Sequence, residues 1–187
     1  AAVEALRADE RYVVFDVRGD IQALDLAELH GQLSRGDVFF EGNPFVGKAL
    51  LTHEALASVN RVSAFMAPLS RAEIEHLAAP QCAVDLPALV TDVMRRKLLR
   101  RTRRQKGEIS LPDLENIEKR AASAYGELQE ACHFGTVIPN HDGEDSENWD
   151  AFYYPLGDAR RALLAFVGLL QGEPAAGVEQ WPAELLP

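Results

Sequence analysis

The order of apolar runs in the first part of the chain is the feature that most constrains its fold. Residues 11–17 (RYVVFDV), 37–41 (DVFFE) and 61–67 (RVSAFMA) are short runs of β-branched and aromatic residues, which predict strands. Residues 25–34 and 48–59 lie between them and carry apolar residues at helical spacing. Strands that alternate with helices over such short distances indicate parallel crossovers. The sequence therefore predicts an α/β fold, in which flanking helices cover a parallel sheet to give three layers.

Helical patterns dominate the rest of the chain. A capping box from Ser70 to Glu73 predicts a helix start there. Further helices are predicted over residues 89–104, 112–131 and 158–170, and a fourth strand over residues 134–138. We expect residues 1–147 to form the core, and residues 148–187 to form a C-terminal helix and tail.

In open parallel sheets, ligands gather at the carboxyl ends of the strands. That rule selects the loops after Val17, Glu41 and Ala67 as the places to look for a site. Glu41 is therefore a predicted substrate-binding residue.

Composition excludes several classes of protein. The 187 residues include 29 acidic and 19 basic side chains, for a formal net charge of -10, so broad nucleic-acid binding is not expected. Two separate cysteines and five unpaired histidines give neither a disulfide framework nor a metal pattern, and no metal site is predicted from them. With no bilayer-length apolar run and no signal-peptide pattern, we expect a cytoplasmic protein without membrane contact.

A dense cationic stretch stands out against this acidic background. Residues 95–106 (RRKLLRRTRRQK) contain eight lysines and arginines, and Arg120 follows on the next predicted helix. Guanidinium groups match phosphate oxygens in shape and charge, so arginines that flank a glycine-containing loop suit a clamp over phosphates. The alternative is a solvated basic helix face without a ligand.

Two other segments are candidates for ligand sites, one for phosphate and one for a divalent cation. Residues 42–49 (GNPFVGKA) match the phosphate-loop pattern GxxxxGK, but Ala49 stands where a magnesium-binding hydroxyl belongs and Pro44 removes a backbone donor. A turn between strand and helix is the preferred interpretation. Residues 140–150 (NHDGEDSENWD) are acidic enough for a divalent cation, but they lack calcium-loop spacing, so we interpret them as a solvated loop.

Several of these segments, taken in order, resemble the guanylate kinase family of P-loop nucleoside monophosphate kinases. Residues 35–44 (RGDVFFEGNP) are similar to a family strand preceded by Gly-Arg-Asp-Val. Residues 61–77 (RVSAFMAPLSRAEIEHL) look like the strand followed by Pro-Ser-x-x-Glu-Leu. Residues 117–142 (IEKRAASAYGELQEACHFGTVIPNHD) resemble the arginine-containing helix and the last core strand. The resemblance covers about three quarters of the chain and implies a P-loop kinase-like fold with a helical lid at about residues 95–112.

The resemblance also assigns residues. Arg120 matches the helix arginine that contacts transferring phosphates, and Arg101, Arg103 and Arg104 cover the lid arginine. Asn140 matches the asparagine near the adenine of ATP. The implied set is therefore catalytic Arg120, Arg104 and Arg101, cofactor-binding Asn140 and Arg103, and substrate-binding Gly19 and Asn43, beside Glu41.

The implied activity is phosphoryl transfer between ATP, with Mg²⁺, and a nucleotide or other phosphorylated small molecule. The acceptor need not be GMP, because Val13 and Asn43 stand where the family has guanine-pairing acids. In the family the phosphate loop lies upstream of all the segments that match here, so we expect it before the first of these residues, and three explanations are open: an omitted N-terminal portion, a second chain that supplies it, or lost catalysis. We expect the first. The alternative function is a catalytically inactive guanylate kinase-like binding module, and a homo-oligomer is compatible with either.

Overall fold

The computed structural model describes residues 3–82, 84–144, 146–173 and 175–186. The chain divides after Asn60 into two compact units. Helices account for 54% of the structure, and the described residues form two sheets of two strands each. The predicted three-layer parallel sheet of a P-loop kinase-like fold is therefore wrong. The boundary expected between residues 147 and 148 stays a prediction.

The first unit contains a β-hairpin where the sequence predicted a crossover. Strands β1 (Tyr12–Val17) and β2 (Asp20–Asp25) are antiparallel, and Val17 lies opposite Asp20. Arg18 and Gly19 between them have φ of 57° and 85°. Positive φ at both central residues is typical of a type I′ turn, whose twist matches that of a hairpin. The chain therefore turns back within two residues, and this is why no helix follows β1.

Two short helices complete the first unit, after a 3₁₀ turn over Glu4–Ala8. Helix α1 (Leu26–Leu33) begins at the cap Asp25, and helix α2 (Pro44–Thr52) begins at the cap Asn43. Hydrogen bonding from Arg11 lowers the pKa of Asp25 to about 2. Residues 37–41 form no strand, and Phe39 in that segment is 75% exposed. The second predicted strand is wrong because these apolar residues have no neighbouring strand in the described chain.

The second unit is built around one pair of parallel strands. Strand β3 (Phe65–Ala67) pairs with β4 (Val137–Pro139), with Phe65 opposite Val137. The connection between them consists of α3 (Arg71–Ala78), α4 (Leu86–Lys106) and α5 (Leu111–Gln129), followed by a 3₁₀ turn. Helix α6 (Gly157–Gln171) and two further 3₁₀ turns follow β4. The third and fourth predicted strands exist, but each is only three residues long.

Strand β4 is buried on both faces, whereas Met66 of β3 is exposed. Val137 lies in the main core with Leu128 of α5, whereas its neighbour Ile138 packs with Ala162 and Ala165 of α6. Alternate residues of a strand point to opposite faces, so helices must cover both sides of β4. The main core is formed by Phe65, Ala67, Ile74, Leu86, Val90, Ala124, Leu128, Ala131, Val137, Trp181 and Leu186. This packing fixes where the segment after β4 leaves the sheet.

No helix in the described part of the chain combines the length and apolar character needed to cross a lipid bilayer.

Candidate functional site

Helices α4 and α5 form a hairpin that carries the cationic stretch. The predicted lid is the second half of α4 and the turn after it, where Gly107 has φ of 78°. The guanidinium of Arg95 donates two hydrogen bonds to Glu118, at 2.7 and 2.9 Å, and joins the helices at mid-length. A capping box of Ser110 and Asp113 starts α5, and Lys106 pairs with Asp113 across the turn. Hydrogen bonding from Lys106 and Ser110 lowers the pKa of Asp113 to about 2.

Three cations on one side of α4 reach the segment after β4. Lys97, Arg101 and Arg104 are spaced by four and three residues, so they share a helix face, which we call the basic face. Lys97 Nζ donates to the Asn140 carbonyl at 3.1 Å. Arg101 Nη1 lies 2.8 Å from Glu144 Oε2, and Arg104 Nη2 lies 2.6 Å from Asp150 Oδ2. We call residues 140–150 the acidic loop; Asp145 within it lies outside the described residues. The basic helix and the acidic loop, which the sequence presented as separate features, are therefore partners.

Asp142 joins the acidic loop to the start of α6. Its Oδ1 accepts hydrogen bonds from Ser146 Oγ at 2.9 Å and Asn148 Nδ2 at 2.8 Å, and its Oδ2 accepts from the Ala159 amide at 2.7 Å. Burial alone would raise the pKa of Asp142, but these hydrogen bonds outweigh it and hold that pKa below its usual value. The loop therefore has a hydrogen-bonded framework of its own, independent of its two ion pairs with α4.

His141 links the start of α3 to the start of α6. Its Nε2 lies 2.7 Å from Glu73 Oε2, and its Nδ1 lies 2.7 Å from Asp158 Oδ2. Glu73 also completes the capping box with Ser70, as the sequence predicted. Burial raises the pKa of Glu73, but hydrogen bonds from Ser70 and His141 overcome that effect and lower it. This histidine is thus a bridge between two carboxylates at the carboxyl ends of β3 and β4.

Two buried polar atoms beside the basic face are unsatisfied. The Nε of Arg101 and the Oδ1 of Asn140 have no hydrogen-bond partner among the described residues. Lys97 contacts the backbone of Asn140, and Arg101, one helical turn further on, pairs with Glu144, so both residues belong to the contact between α4 and the acidic loop. Buried polar atoms are nearly always satisfied, so each such case needs an explanation. An Nε–H donor and an amide acceptor together suit a ligand that carries both phosphate oxygens and N–H groups.

The other two predicted residues of the second unit are not among the side chains that donate these hydrogen bonds to the acidic loop. Arg103 is exposed, and because it is two residues from Arg101 it faces a different side of α4. Arg120 is half-buried on α5, two residues beyond Glu118. The structure therefore brings Arg101, Arg104 and Asn140 together from the predicted set.

The first unit holds the three predicted substrate-binding residues. Gly19 lies in the hairpin turn, where the Asp16 carboxylate accepts its amide hydrogen at 2.9 Å. Asn43 caps α2 by accepting from the Phe45 amide, also at 2.9 Å. Glu41 precedes this cap in the segment that forms no strand, so the strand-end rule that selected it does not apply. All three roles stay predictions.

The phosphate-loop pattern of residues 42–49 lies largely within α2. The helix begins at Pro44, and the amide of Gly47 donates to the Asn43 carbonyl at 3.0 Å. A phosphate loop needs free backbone amides that converge on the ligand. The interpretation of this segment as a turn between strand and helix is wrong, because no strand directly precedes it in the described chain and the helix already begins at Pro44; these helical amides form no phosphate cradle.

Sequence reasoning missed the contacts of Lys97, Asp150 and His141. The spacing of Lys97, Arg101 and Arg104 was a usable signal, because three cations at helical spacing predict one charged face. Their partners lie 43 to 46 residues further along the chain, and no local pattern indicates that distance. Comparison of the chain with protein-family models, curated proteins and solved structures found no match.

Proposed function

We propose that the basic face, together with Asn140, binds the phosphates and base of a nucleotide, and that the chain takes part in phosphoryl transfer from ATP. The observation that carries this proposal is the pair of buried, unsatisfied atoms, Arg101 Nε and Asn140 Oδ1, beside three cations. The guanidinium would donate to phosphate oxygens, and the amide oxygen would accept from an exocyclic amine such as that of adenine. The resemblance to the guanylate kinase family belongs to the same proposal, as does a cytoplasmic location, where ATP is available.

The residues present have a defined share in such a reaction. Phosphoryl transfer depends on positioning and on neutralising negative charge, and arginines at the transferring group do both. Arg101 and Arg104 would hold the phosphates, and Arg120 would act from α5 if the ligand reaches it. Mg²⁺ is usually held by one or two carboxylates with phosphate oxygens and water, so it would arrive with the nucleotide. The described residues contain no group of three or more acidic, histidine or cysteine ligands for a metal.

One observation favours the alternative, a binding module without catalysis. Both arginines of the basic face already pair with carboxylates, and the GxxxxGK residues lie largely in a helix. Such a site would bind a nucleotide but lack a phosphate cradle to align the reacting oxygens. Binding and turnover must therefore be measured separately.

The test is calorimetry of the full chain with ATP, without and with Mg²⁺, followed by turnover with a panel of nucleoside monophosphates. Arg101→Gln is expected to weaken ATP binding by about tenfold or more, because charge-assisted hydrogen bonds contribute about 1.5–3 kcal/mol. Arg96→Gln is the matched control, because Arg96 lies on the same helix and its side chain is 72% exposed. Equal ATP affinity in wild type and Arg101→Gln would refute the site. ATP binding without turnover would favour the binding module.

A further inference from the structure

The two arginines of the basic face are engaged by carboxylates that the protein itself supplies. Glu144 and Asp150 reach Arg101 and Arg104 from the acidic loop. Each is 64% exposed, so water reaches both carboxylates. Exposed ion pairs are weak and exchange readily, since solvent and salt screen them. An incoming anion can therefore replace them.

The acidic loop keeps its shape without these ion pairs. Asp142 accepts three hydrogen bonds, and the Trp149 indole donates to the Gly143 carbonyl. This framework presents the carboxylates of Glu144 and Asp150 to α4 at little entropic cost, much as a preorganised ligand would be presented. Loss of the two carboxylates should thus remove these two ion pairs and leave the loop in place.

We propose that Glu144 and Asp150 are built-in competitors that lower the affinity of the basic face for every phosphate ligand, so that only a ligand of high charge, a polyphosphate, binds well enough to occupy it. This inference rests on the proposed function, because it concerns the same arginines. A ligand must displace two negative charges to engage both arginines. A single phosphate carries up to about two negative charges, which is about as much as the two carboxylates that it would displace. A linear triphosphate carries more charge and gains more from the exchange.

The spacing of the cations points the same way. Arg101 and Arg104 are about 4.5 Å apart along the helix axis, and Lys97 lies about 6 Å further back. Several linked phosphates can contact successive cations along this face, whereas one phosphate can contact only a part of it. Competition from the carboxylates therefore keeps ligands of low affinity from binding, whereas polyphosphates still bind.

The experiment titrates inorganic tripolyphosphate and inorganic phosphate into the full chain without Mg²⁺, with calorimetric detection. The variant Glu144→Gln/Asp150→Asn removes both competitors and preserves side-chain shape. Loss of two exposed pairs should raise tripolyphosphate affinity by about 2- to 30-fold. It should also raise the affinity for single phosphate relative to wild type. The matched control, Glu115→Gln/Glu173→Gln, removes two exposed carboxylates that lie outside the acidic loop in the same unit.

Each outcome decides between the alternatives. An increase confined to Glu144→Gln/Asp150→Asn, abolished by adding Arg101→Gln and Arg104→Gln, supports the inference. An equal increase in the control would show a general effect of net charge and overturn it. If wild type binds tripolyphosphate and Glu144→Gln/Asp150→Asn binds it with the same affinity, the inference is overturned but the phosphate site is not. Absence of tripolyphosphate binding in every variant would overturn both proposals, and circular dichroism of each variant checks that it has folded.

Discussion

Replacing Asp142 by asparagine should destabilise the second unit, because one carboxylate holds the acidic loop against α6. The asparagine oxygen can still accept from Ser146 and Asn148, but its amide nitrogen would face the Ala159 N–H, which is then left without an acceptor. A hydrogen bond to a charged group contributes about 1.5–3 kcal/mol, and a negative charge at a helix start about 0.3–1 kcal/mol. We therefore expect the free energy of unfolding to fall by roughly 2–4 kcal/mol.

The assay is urea unfolding, monitored by circular dichroism and by tryptophan fluorescence, which reports on Trp149 in the acidic loop and on Trp181 in the main core. Glu144→Gln is the control, because it removes only one exposed ion pair from the same loop and should cost less than about 1 kcal/mol. A change below about 0.5 kcal/mol for Asp142→Asn would refute the reasoning. So would a Glu144→Gln variant that is equally destabilised, since the ion pairs with α4 would then hold the loop.

Three further predictions concern the packing around the site. Leu128 lies in the main core and is 2% exposed, so Leu128→Ala should lower the free energy of unfolding by about 2–5 kcal/mol in the same urea assay. A loss below about 1 kcal/mol would contradict this packing. Because the pKa of Asp113 is lowered to about 2 from an unfolded value near 3.9, its stabilising effect is present above about pH 4 and is lost as the pH falls through 2. The difference in Tm between wild type and Asp113→Asn should therefore shrink from pH 7 to pH 2, and a constant difference would argue against the pair with Lys106. His141→Gln keeps at most one of two carboxylate contacts, so it should increase amide hydrogen exchange at the start of α3 and α6, and unchanged protection at both would count against the bridge.

Local signals in the sequence predicted several helix starts well, although α2 begins four residues before the expected residue 48 and α4 three residues before the expected residue 89. Ser70 with Glu73 indicated α3, and the terminal helix expected over residues 158–170 is α6 (Gly157–Gln171). Caps and apolar periodicity act within a few residues, so a local pattern contains the necessary information. The helix expected from residue 112 is α5, which begins one residue earlier at Leu111.

Strand pairing was beyond such local signals. The apolar run of β1 is equally compatible with a parallel or an antiparallel partner, and the conformation of Arg18 and Gly19 decides for the hairpin. Residues 37–41 have the composition of a strand, yet a strand needs a neighbour, and the described residues give it none. The candidate site could not be predicted from the sequence for the same reason, because Arg101 and Glu144 come into contact only when β4 and α4 pack together.

The pairing also changes what the cationic stretch means for nucleic acids. Judged by the sequence alone, the three cations of the basic face would each release a counterion when they bind a nucleic-acid phosphate. In the folded protein, Arg101 and Arg104 are already neutralised by Glu144 and Asp150, so a duplex would have to displace those carboxylates to gain the same contacts. On a chain with a net charge of -10, that exchange yields little for a stiff, extended polyanion. We therefore expect a short polyphosphate to be the better match for this face, because one of its oxygens can accept from the unsatisfied Arg101 Nε–H.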